Sequence, residues 1–359
     1  KGKVIITTTT HICRPKQYET LLDATEAAVS AALERSGIVC VASQEETGKL
    51  CAPRLSMGTL AQLADFVLVE ADGAKRLPLK AHASHEPVIP EEEIFSFLAH
   101  RKGLLDGVAV TGGEPTLRSD LVELVQAAAW FVTRLNTNGR LLTPELCAGL
   151  YEASLDSVQV TLYSAEGNIH NQLVGVNGFS DTVQGIRHAV EAGLIVSVNT
   201  PLCSLNTHYA ETLRFAHSLG VRYATCSGLI PSGSACGQES RATALTPEQL
   251  TDVLRQAVDT AEELGMELDF TSPGWLEEET LRSLGLNLIP SCGACLSNMA
   301  VTPDGKVVPC QSWLSDEPLG DLLHDDWADI WNSPRCAAIR AESAKLEHIC
   351  QLKGKEAAE

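Results

Sequence analysis

The cysteines in the last quarter of the chain have spacings that could do chemistry. Cys292 and Cys295 are separated by two residues, and Cys310 and Cys350 follow them. Four thiolates could hold an iron–sulfur cluster or a zinc ion, with Cys336 as a substitute. The turn residues PDG predict a hairpin between AVT and KVVPC that brings Cys295 and Cys310 together. No secretory leader is recognised, so the twelve cysteines are expected to be thiols or ligands and not disulfides.

A glycine turn is the second candidate site. In VAVTGGEPTLRSDL, residues 108–121, an apolar strand runs into Gly112, Gly113, Glu114 and Pro115, and a helix is predicted to follow. Two glycines allow the backbone to come close to a small ligand. The turn also offers carbonyl oxygens and a carboxylate, which are groups that bind an ammonium. A small charged ligand is therefore expected here.

The elements that would position this turn follow a regular order. From residue 91 onward, apolar strands alternate with predicted helices that begin at Ser119, Pro144, Phe179 and His208. Five strands are predicted: GVAVTG, FVTRLNTNG, DSVQVTLYS, LIVSVNTPL and VRYATCSGLIP. This alternation predicts a β/α barrel or half-barrel with its site at the carboxyl ends of the strands.

The glycine turn matches the GGEP motif of the radical S-adenosylmethionine (SAM) superfamily. LNTNG, VQVTLYS, VSVNTPL and SGLIPSG also resemble the successive strand ends of that superfamily, in order. The resemblance implies S-adenosylmethionine as a cofactor at the GGEP turn. It makes Ser164 and Asn199 candidates for contacts to the ribose or carboxylate, and Thr137 and Asn138 candidates for shaping the pocket. For each of these four, a turn or cap role is the alternative.

The same resemblance implies a radical reaction, and the sequence departs from the superfamily in lacking its usual cysteine triplet. In its members a reduced 4Fe–4S cluster with one open iron donates an electron to SAM. A 5′-deoxyadenosyl radical then takes a hydrogen atom from a substrate, often a peptide or protein. An electron donor and a peptide or protein are therefore the implied partners. The cluster is usually held by Cys-x3-Cys-x2-Cys upstream of GGEP, and that triplet occurs nowhere in this sequence. Whether the chain is an enzyme is thus left open, and no catalytic acid or base is assigned.

The carboxyl-terminal cysteines resemble a SPASM domain, an auxiliary iron–sulfur module that follows radical SAM barrels. Cys295, nine residues, Gly305, four residues and Cys310 fit the opening of that domain, and LGDLLHDDWADIWNS matches its helical segment. The family continues with a second cysteine-rich run, whereas QLKGKEAAE follows Cys350 here. The resemblance implies one auxiliary 4Fe–4S cluster on Cys292, Cys295, Cys310 and Cys350. A structural zinc site is the alternative.

The first ninety residues show a different pattern of strands. KVIITTTTHI, SGIVCVAS and FVLVE have the character of central parallel strands, with a helix predicted over residues 19–37. Glu70 and Asp72 follow the last of these strands and could bind magnesium, or form a solvated strand end. TTTTHI and VEADGAKRLPLKAHASHEPVIP resemble an accessory-protein family linked to selenium-dependent molybdenum hydroxylases. That family has a phosphate-loop nucleotide-binding fold, which implies a magnesium nucleotide. Its glycine-rich phosphate loop is absent from this sequence.

Charge and hydropathy restrict the partners and divide the chain. There are 46 acidic and 27 basic residues, and the net charge of −19 arises entirely after residue 90. This excess disfavours nucleic acids and anionic membranes as partners. The apolar runs are shorter than the roughly 20 residues of a membrane span, so a cytoplasmic protein is expected.

The expected fold class is α/β in three domains. These are a partial phosphate-loop-type parallel sheet at 1–90, a partial radical SAM β/α barrel at 91–285 and a truncated SPASM-like module at 286–359. The expected function is reductive cleavage of SAM for peptide or protein modification or enzyme activation. The alternative is a nucleotide-linked accessory protein for selenium or molybdenum hydroxylase maturation with an inactive barrel. A seam near Pro90, where two partial families meet, also permits a chain without function.

Overall fold

The computed structural model describes two compact units. It covers residues 3–8, 15, 17–44, 50–70, 91–100, 105–230, 243–313, 317–346 and 348–355. The described residues up to Glu70 belong to the first unit, and those from Glu91 onward belong to the second.

The first unit contains a five-stranded, mainly parallel sheet. The strand order is β2-β3-β1-β5, with β4 antiparallel to β3. Helix α1 (Glu26–Ser36) and helix α2 (Met57–Leu63) contribute Val29 and Leu60 to a core with Ile5 and Val39. The strands are β1 (Val4–Thr8), β2 (Glu19–Leu22), β3 (Ile38–Gln44), β4 (Leu50–Cys51) and β5 (Phe66–Glu70).

Helix α1 begins later than the sequence pattern predicts. The stretch ETLL, expected to start the helix, is strand β2 and pairs in parallel with β3. Thr25 has an extended backbone and its side chain accepts a hydrogen bond from Ala28 N, so it caps the helix one position before Glu26. The expected helix over residues 19–37 was therefore wrong in its first turns, because pairing with β3 outweighs the helical spacing there.

A six-stranded parallel sheet is the main element of the second unit. Its order, β11-β10-β9-β8-β7-β6, follows the chain, and the registers are parallel throughout. The strands are β6 (Gly107–Val110), β7 (Val132–Thr137), β8 (Ser157–Thr161), β9 (Val196–Pro201), β10 (Tyr223–Ser227) and β11 (Glu267–Phe270). The helices are α3 (Glu91–Ala99), α4 (Leu121–Ala128), α5 (Pro144–Glu152), α6 (Gly167–Val174), α7 (Phe179–Glu191), α8 (Tyr209–Ser218), α9 (Pro247–Leu264) and α10 (Glu278–Ser283).

The two faces of this sheet differ in polarity. One face supplies Leu135, Val158, Val198 and Phe270 to the main core, where they pack with apolar residues of the helices. The other face carries polar side chains at the alternate positions, because successive residues of a strand point to opposite sides. It comprises Arg134, Asn136, Ser157, Gln159, Thr161, Ser197, Asn199, Tyr223, Thr225, Glu267 and Asp269. We call it the polar face.

Strand β11 was missed by the sequence pattern, which predicts five strands in this unit. Its four residues, ELDF, contain two acidic side chains and no long apolar run. It is nevertheless held by parallel pairing with β10, from Tyr223 opposite Glu267 to Cys226 opposite Phe270. The α/β architecture itself is as expected.

The cysteine-rich segment forms a small antiparallel sheet followed by helices. Strand β12 (Ala300–Val301) pairs with β13 (Lys306–Val308), which confirms the predicted hairpin, and β13 pairs with β14 (Gly320–Asp321). Gly305 makes the turn with a φ of +84°, a conformation that favours glycine. Helices α11 (Trp327–Asn332), α12 (Pro334–Leu346) and α13 (Gln351–Lys355) follow.

None of the helices that the structure describes is both long enough and apolar enough to cross a membrane.

Candidate functional site

The GGEP turn leaves open space beside its backbone. Gly112 has a φ of +144°, and among the described residues, apart from its two chain neighbours, no heavy atom lies within 4 Å of the position that a Cβ would take. A side chain there would strain the backbone and project into this space. Pro115 is buried and opens a short 3₁₀ turn, Pro115–Leu117. The turn therefore has room for a ligand at the carboxyl end of β6.

Glu114 fixes this turn to the neighbouring strand. The residue is 7% exposed. Its Oε1 accepts hydrogen bonds from Thr116 N at 3.1 Å, Thr116 Oγ1 at 2.5 Å and Thr137 Oγ1 at 2.6 Å. Its Oε2 accepts one from Asn138 N at 2.8 Å. These four bonds satisfy the carboxylate inside the protein, so the backbone carbonyls of the glycines remain as the acceptors for an ammonium.

Thr137 and Asn138 shape the loop after β7. Thr137 Oγ1 also accepts a hydrogen bond from Gly139 N at 3.0 Å, and Asn138 O accepts one from Thr182 Oγ1 at 2.9 Å. Helix α7 lies directly against this loop at Gly185, where a Cβ would come 1.9 Å from Gly139 O. The loop is thus held by the hydrogen bonds of Glu114 to Thr137 and Asn138, and by its close packing against α7 at Gly185.

Ser164 and Asn199 occupy different environments. Ser164 is 5% exposed and its Oγ accepts a hydrogen bond from Glu166 N at 3.0 Å, which is the turn role left open by the sequence. Asn199 lies on the polar face of β9, where its Oδ1 accepts a hydrogen bond from Thr225 Oγ1 at 2.9 Å. Gln159 Nε2 donates to the same hydroxyl at 3.2 Å. A hydrogen-bonded row therefore crosses β8, β9 and β10.

The other residues of the polar face were not predicted from the sequence. Asn136 Oδ1 is buried and has no hydrogen-bond partner among the described residues. On β11, burial raises the pKa of Asp269, and the nearby Glu267 raises it further. The sequence does contain a signal for this face, since the predicted strands carry a polar residue at every second position, as in VQVT. In a barrel such alternate positions face the interior.

The carboxyl-terminal cysteines gather in the small module. Cys292, Cys295 and Cys336 are buried, and Cys310 and Cys350 are partly exposed. Cys295 N donates to Pro309 O at 3.2 Å, which places it beside Cys310 as the hairpin predicted. Burial raises the pKa of the Cys310 and Cys350 thiols, and the charge of Cys292 adds to both shifts. Three of the four expected ligands thus lie within electrostatic reach of one another.

Cys295 and Cys336 form a closer pair. Burial raises the pKa of Cys295 to about 12, and the charge of Cys336 adds to the shift. Arg340 contacts both residues: Nε donates to Cys295 O at 3.1 Å and Nη2 to Cys336 Sγ at 3.3 Å. The guanidinium carbon lies 3.8 Å from the centre of the Trp331 ring. This cation is therefore held rigidly beside the thiols.

The gathered cysteines are ligands of the type that iron–sulfur clusters use. Within the described ranges, no three His, Cys, Asp or Glu side chains are close enough to hold one ion. A cluster spreads its thiolates over several irons, and soft, buried sulfur ligands suit it. The donor set therefore fits a 4Fe–4S cluster in type.

The expected magnesium site lies outside what the structure describes in detail. Glu70 is the last residue of β5, but its side chain is outside the described set, as is the whole of Asp72. The two residues remain a prediction.

Three family models match the chain in succession. Residues 1–96 match the YqeC protein family, residues 83–219 the radical SAM superfamily, and residues 292–352 the SPASM iron–sulfur cluster-binding domain. Residues 83–219 therefore resemble a radical SAM domain, and residues 292–352 resemble a SPASM domain. The radical SAM domain covers β6 to α8, including the GGEP turn, and the SPASM domain includes all five gathered cysteines. These two domains imply SAM and 4Fe–4S clusters as cofactors.

Curated relatives share part of this arrangement. The chain is 26% identical over 241 residues to an AdoMet-dependent heme synthase of Oleidesulfovibrio alaskensis, over 62% of this chain and 61% of the relative. It is 33% identical over 138 residues to a probable GTP 3',8-cyclase of Saccharolobus solfataricus, over 37% of this chain and 44% of the relative. The matched region thus spans less than two thirds of either relative.

Solved structures support the fold of the radical SAM and SPASM domains. The peptide-bound form of Streptococcus suis SuiB, with precursor peptide SuiA, aligns with a TM-score of 0.58 and 16% identity, over 70% of this chain and 60% of that one. Native anSMEcpe with bound AdoMet aligns with a TM-score of 0.55 and 16% identity, over 73% and 76%. At these identities the likeness establishes the fold alone.

Proposed function

We propose that the second unit binds SAM at the GGEP turn and takes part in radical SAM chemistry on a peptide. The anchoring of Glu114 carries this proposal. Its four hydrogen bonds hold Gly112 and Gly113 at the carboxyl ends of β6 and β7, with open space beside Gly112. Ligands of parallel α/β sheets bind at such strand ends.

The residues present suit SAM in type and position. The glycine carbonyls are acceptors for its ammonium, and the polar face offers amides and hydroxyls for its ribose and carboxylate. On this face the Asn136 carbonyl oxygen has no described partner, and Asn199 is held in place by Thr225. Bound SAM, reduced by a 4Fe–4S cluster, supplies the radical that takes a hydrogen atom from the substrate. Because the Cys-x3-Cys-x2-Cys triplet is absent, that cluster requires other thiols of this chain or of a segment outside this sequence.

Charge favours a peptide over a nucleoside triphosphate as the substrate. The described side chains of the polar face include two carboxylates at β11, Glu267 and Asp269, and one cation, Arg134 on β7. The carboxylates would repel a triphosphate and attract a basic group. Two relatives are named as probable GTP 3',8-cyclases, whereas the SuiB structure contains a peptide. An external electron donor is a further partner of this proposal.

The test is SAM cleavage by the full chain. The chain is reconstituted anaerobically with iron and sulfide and reduced with dithionite, and 5′-deoxyadenosine is measured by chromatography. We expect SAM to bind and 5′-deoxyadenosine to form, and a Gly112→Val variant to lose both because its side chain fills the ligand space. A chain that binds no SAM in equilibrium dialysis would refute the proposal. Binding without cleavage would limit it to the cofactor site.

The match of residues 1–96 to YqeC favours a second candidate function. In this alternative the chain is a nucleotide-linked accessory protein for selenium or molybdenum hydroxylase maturation, with an inactive barrel. It predicts that a magnesium nucleotide binds to the full chain and that no 5′-deoxyadenosine forms. Calorimetric titration with magnesium ATP and magnesium GTP separates the two candidates. Substitution of Asp72 by Asn should abolish nucleotide binding in the alternative and leave SAM binding unchanged.

We further infer three functional segments. Residues 1–90 would form the YqeC-like part, 91–285 the SAM-binding barrel and 286–359 the auxiliary-cluster module. Limited proteolysis with mass spectrometry should give cleavage near residues 90 and 285. Cleavage confined to strands β6 to β11 would contradict this division.

A further inference from the structure

The cysteine left over from the expected ligand set has a defined environment. Cys336 is fully buried near the start of α12, and Arg340 bridges it to Cys295 by donating to Cys336 Sγ at 3.3 Å and to Cys295 O at 3.1 Å. Two thiolates bound to different irons of a cluster are kept apart by the cluster itself. A thiol linked to a ligand cysteine through a shared arginine is therefore better placed to act on that ligand from outside the cluster than to bind iron beside it.

Arg340 lies one helical turn beyond Cys336 in α12. Its guanidinium donates to Cys336 Sγ and to the carbonyl of Cys295. It also donates to Trp331 O at 2.5 Å and stacks on the Trp331 ring. Four contacts from a planar, permanently charged group leave it little freedom to move. A fixed positive charge thus lies next to an expected ligand of the cluster.

We propose that Cys336 and Arg340 form an outer layer around Cys295 that raises the reduction potential of the auxiliary cluster. The inference rests on the SPASM cysteines binding a cluster, as proposed above. Reduction adds one negative charge to a cluster that four thiolates already make anionic. A nearby cation and hydrogen bonds to sulfur stabilise this extra charge, so the reduced form becomes easier to reach.

The test is a redox titration of the reconstituted full chain, followed by electron paramagnetic resonance, with iron counted in parallel. Cys336→Ala and Arg340→Gln should keep the iron content of the parent chain and shift the midpoint potential to more negative values. Cys336→Ser keeps a donor and should remain close to the parent. Arg340→Lys keeps the charge without the planar fork and should give a smaller shift than Arg340→Gln.

Two matched controls accompany these variants. Cys147→Ala removes an equally buried thiol from α5 in the barrel, and Arg335→Gln removes a partly exposed arginine of α12 that pairs with Glu317. Both should leave the potential unchanged.

Each other outcome overturns the inference in a recognisable way. Loss of iron in Cys336→Ala and Cys336→Ser would make Cys336 a ligand. Parent-like potentials in Cys336→Ala and both Arg340 variants would show that neither residue acts on the cluster. If Cys336→Ala fails to fold, the Arg340→Gln titration still decides the matter, because a parent-like midpoint potential in that variant would overturn the inference. A parent chain that takes up no iron would refute the auxiliary cluster, and with it this inference, while leaving SAM binding at the GGEP turn standing.

Discussion

Glu114 is the residue whose role changes most between sequence and structure. Its type suggests a group that binds the ligand, but its carboxylate is buried and accepts hydrogen bonds from Thr116, Thr137 and Asn138. Glu114→Gln would replace one acceptor with an amide donor that faces these donors. We expect a loss of about 1–3 kcal/mol in the free energy of unfolding. Weaker SAM binding should accompany it, measured by denaturant unfolding and by calorimetry.

Glu166→Gln is the matched control for this prediction. Glu166 is exposed, and its side chain makes no capping hydrogen bond to α6. Its substitution should change neither quantity. Equal effects of the two substitutions would contradict a positioning role for Glu114. The sequence predicts the turn from its glycines, but it hides this role because the partners belong to the next strand. Only the pairing of β6 with β7 brings Thr137 and Asn138 to the carboxylate.

At the scale of secondary-structure elements, the periodicity of apolar residues predicts the strands and helices that contain continuous apolar patterns. The strands β6 to β10 and the starts of α5 and α7 lie where the pattern places them. Strand β11 and strand β2 were missed because each is four residues long and is stabilised by pairing with a neighbour instead of by an apolar run. The polar face was not predicted for a related reason, because it is formed only when strands that are distant in sequence pair side by side.

The contact between the loop after β8 and α6 gives a pH-dependent stability. His170 on α6 is 2% exposed, and Tyr163 N donates to its Nδ1 at 3.3 Å, so the ring is neutral in the folded chain. Burial lowers the pKa of His170 from 6.5 to about 4. Between these values the unfolded chain binds the extra proton. Stability should therefore be full above pH 6.5 and fall towards pH 4, by on the order of 3 kcal/mol.

Tryptophan fluorescence can measure this effect, because all five tryptophans follow residue 91. His170→Gln keeps an acceptor for Tyr163 N without titrating, so its unfolding free energy should change less between pH 6.5 and 4. His208→Gln, at an exposed histidine, should retain the slope of the parent. Equal slopes for the parent and His170→Gln would show that the buried ring is not the cause.

At the scale of the whole molecule, charge is placed where the cofactor domains are. Residues 1–90 are electrically balanced, so the net charge of −19 lies in the part that carries the GGEP turn and the cysteines. The sequence alone shows this imbalance of charge, but it does not show which acidic residues lie near the site. The fold adds that two of the carboxylates, Glu267 and Asp269, share one face of the sheet with Asn199. A basic ligand would therefore be attracted both by the overall charge and by these two carboxylates.

A basic peptide should accordingly bind more tightly than an acidic peptide of equal length. The affinity should fall as salt rises, because exposed charges are screened beyond about 10 Å at 0.1 M. Asp269→Asn should weaken the basic peptide roughly fivefold, the effect of losing ~1 kcal/mol of charge interaction. Asp252→Asn, at an exposed position of α9, should have no comparable effect. Fluorescence anisotropy with labelled peptides measures the affinities of both peptides, their salt dependence and the effects of the two substitutions. Equal affinities for both peptides, or an affinity that does not change with salt, would mean that charge on the polar face does not determine which substrate binds.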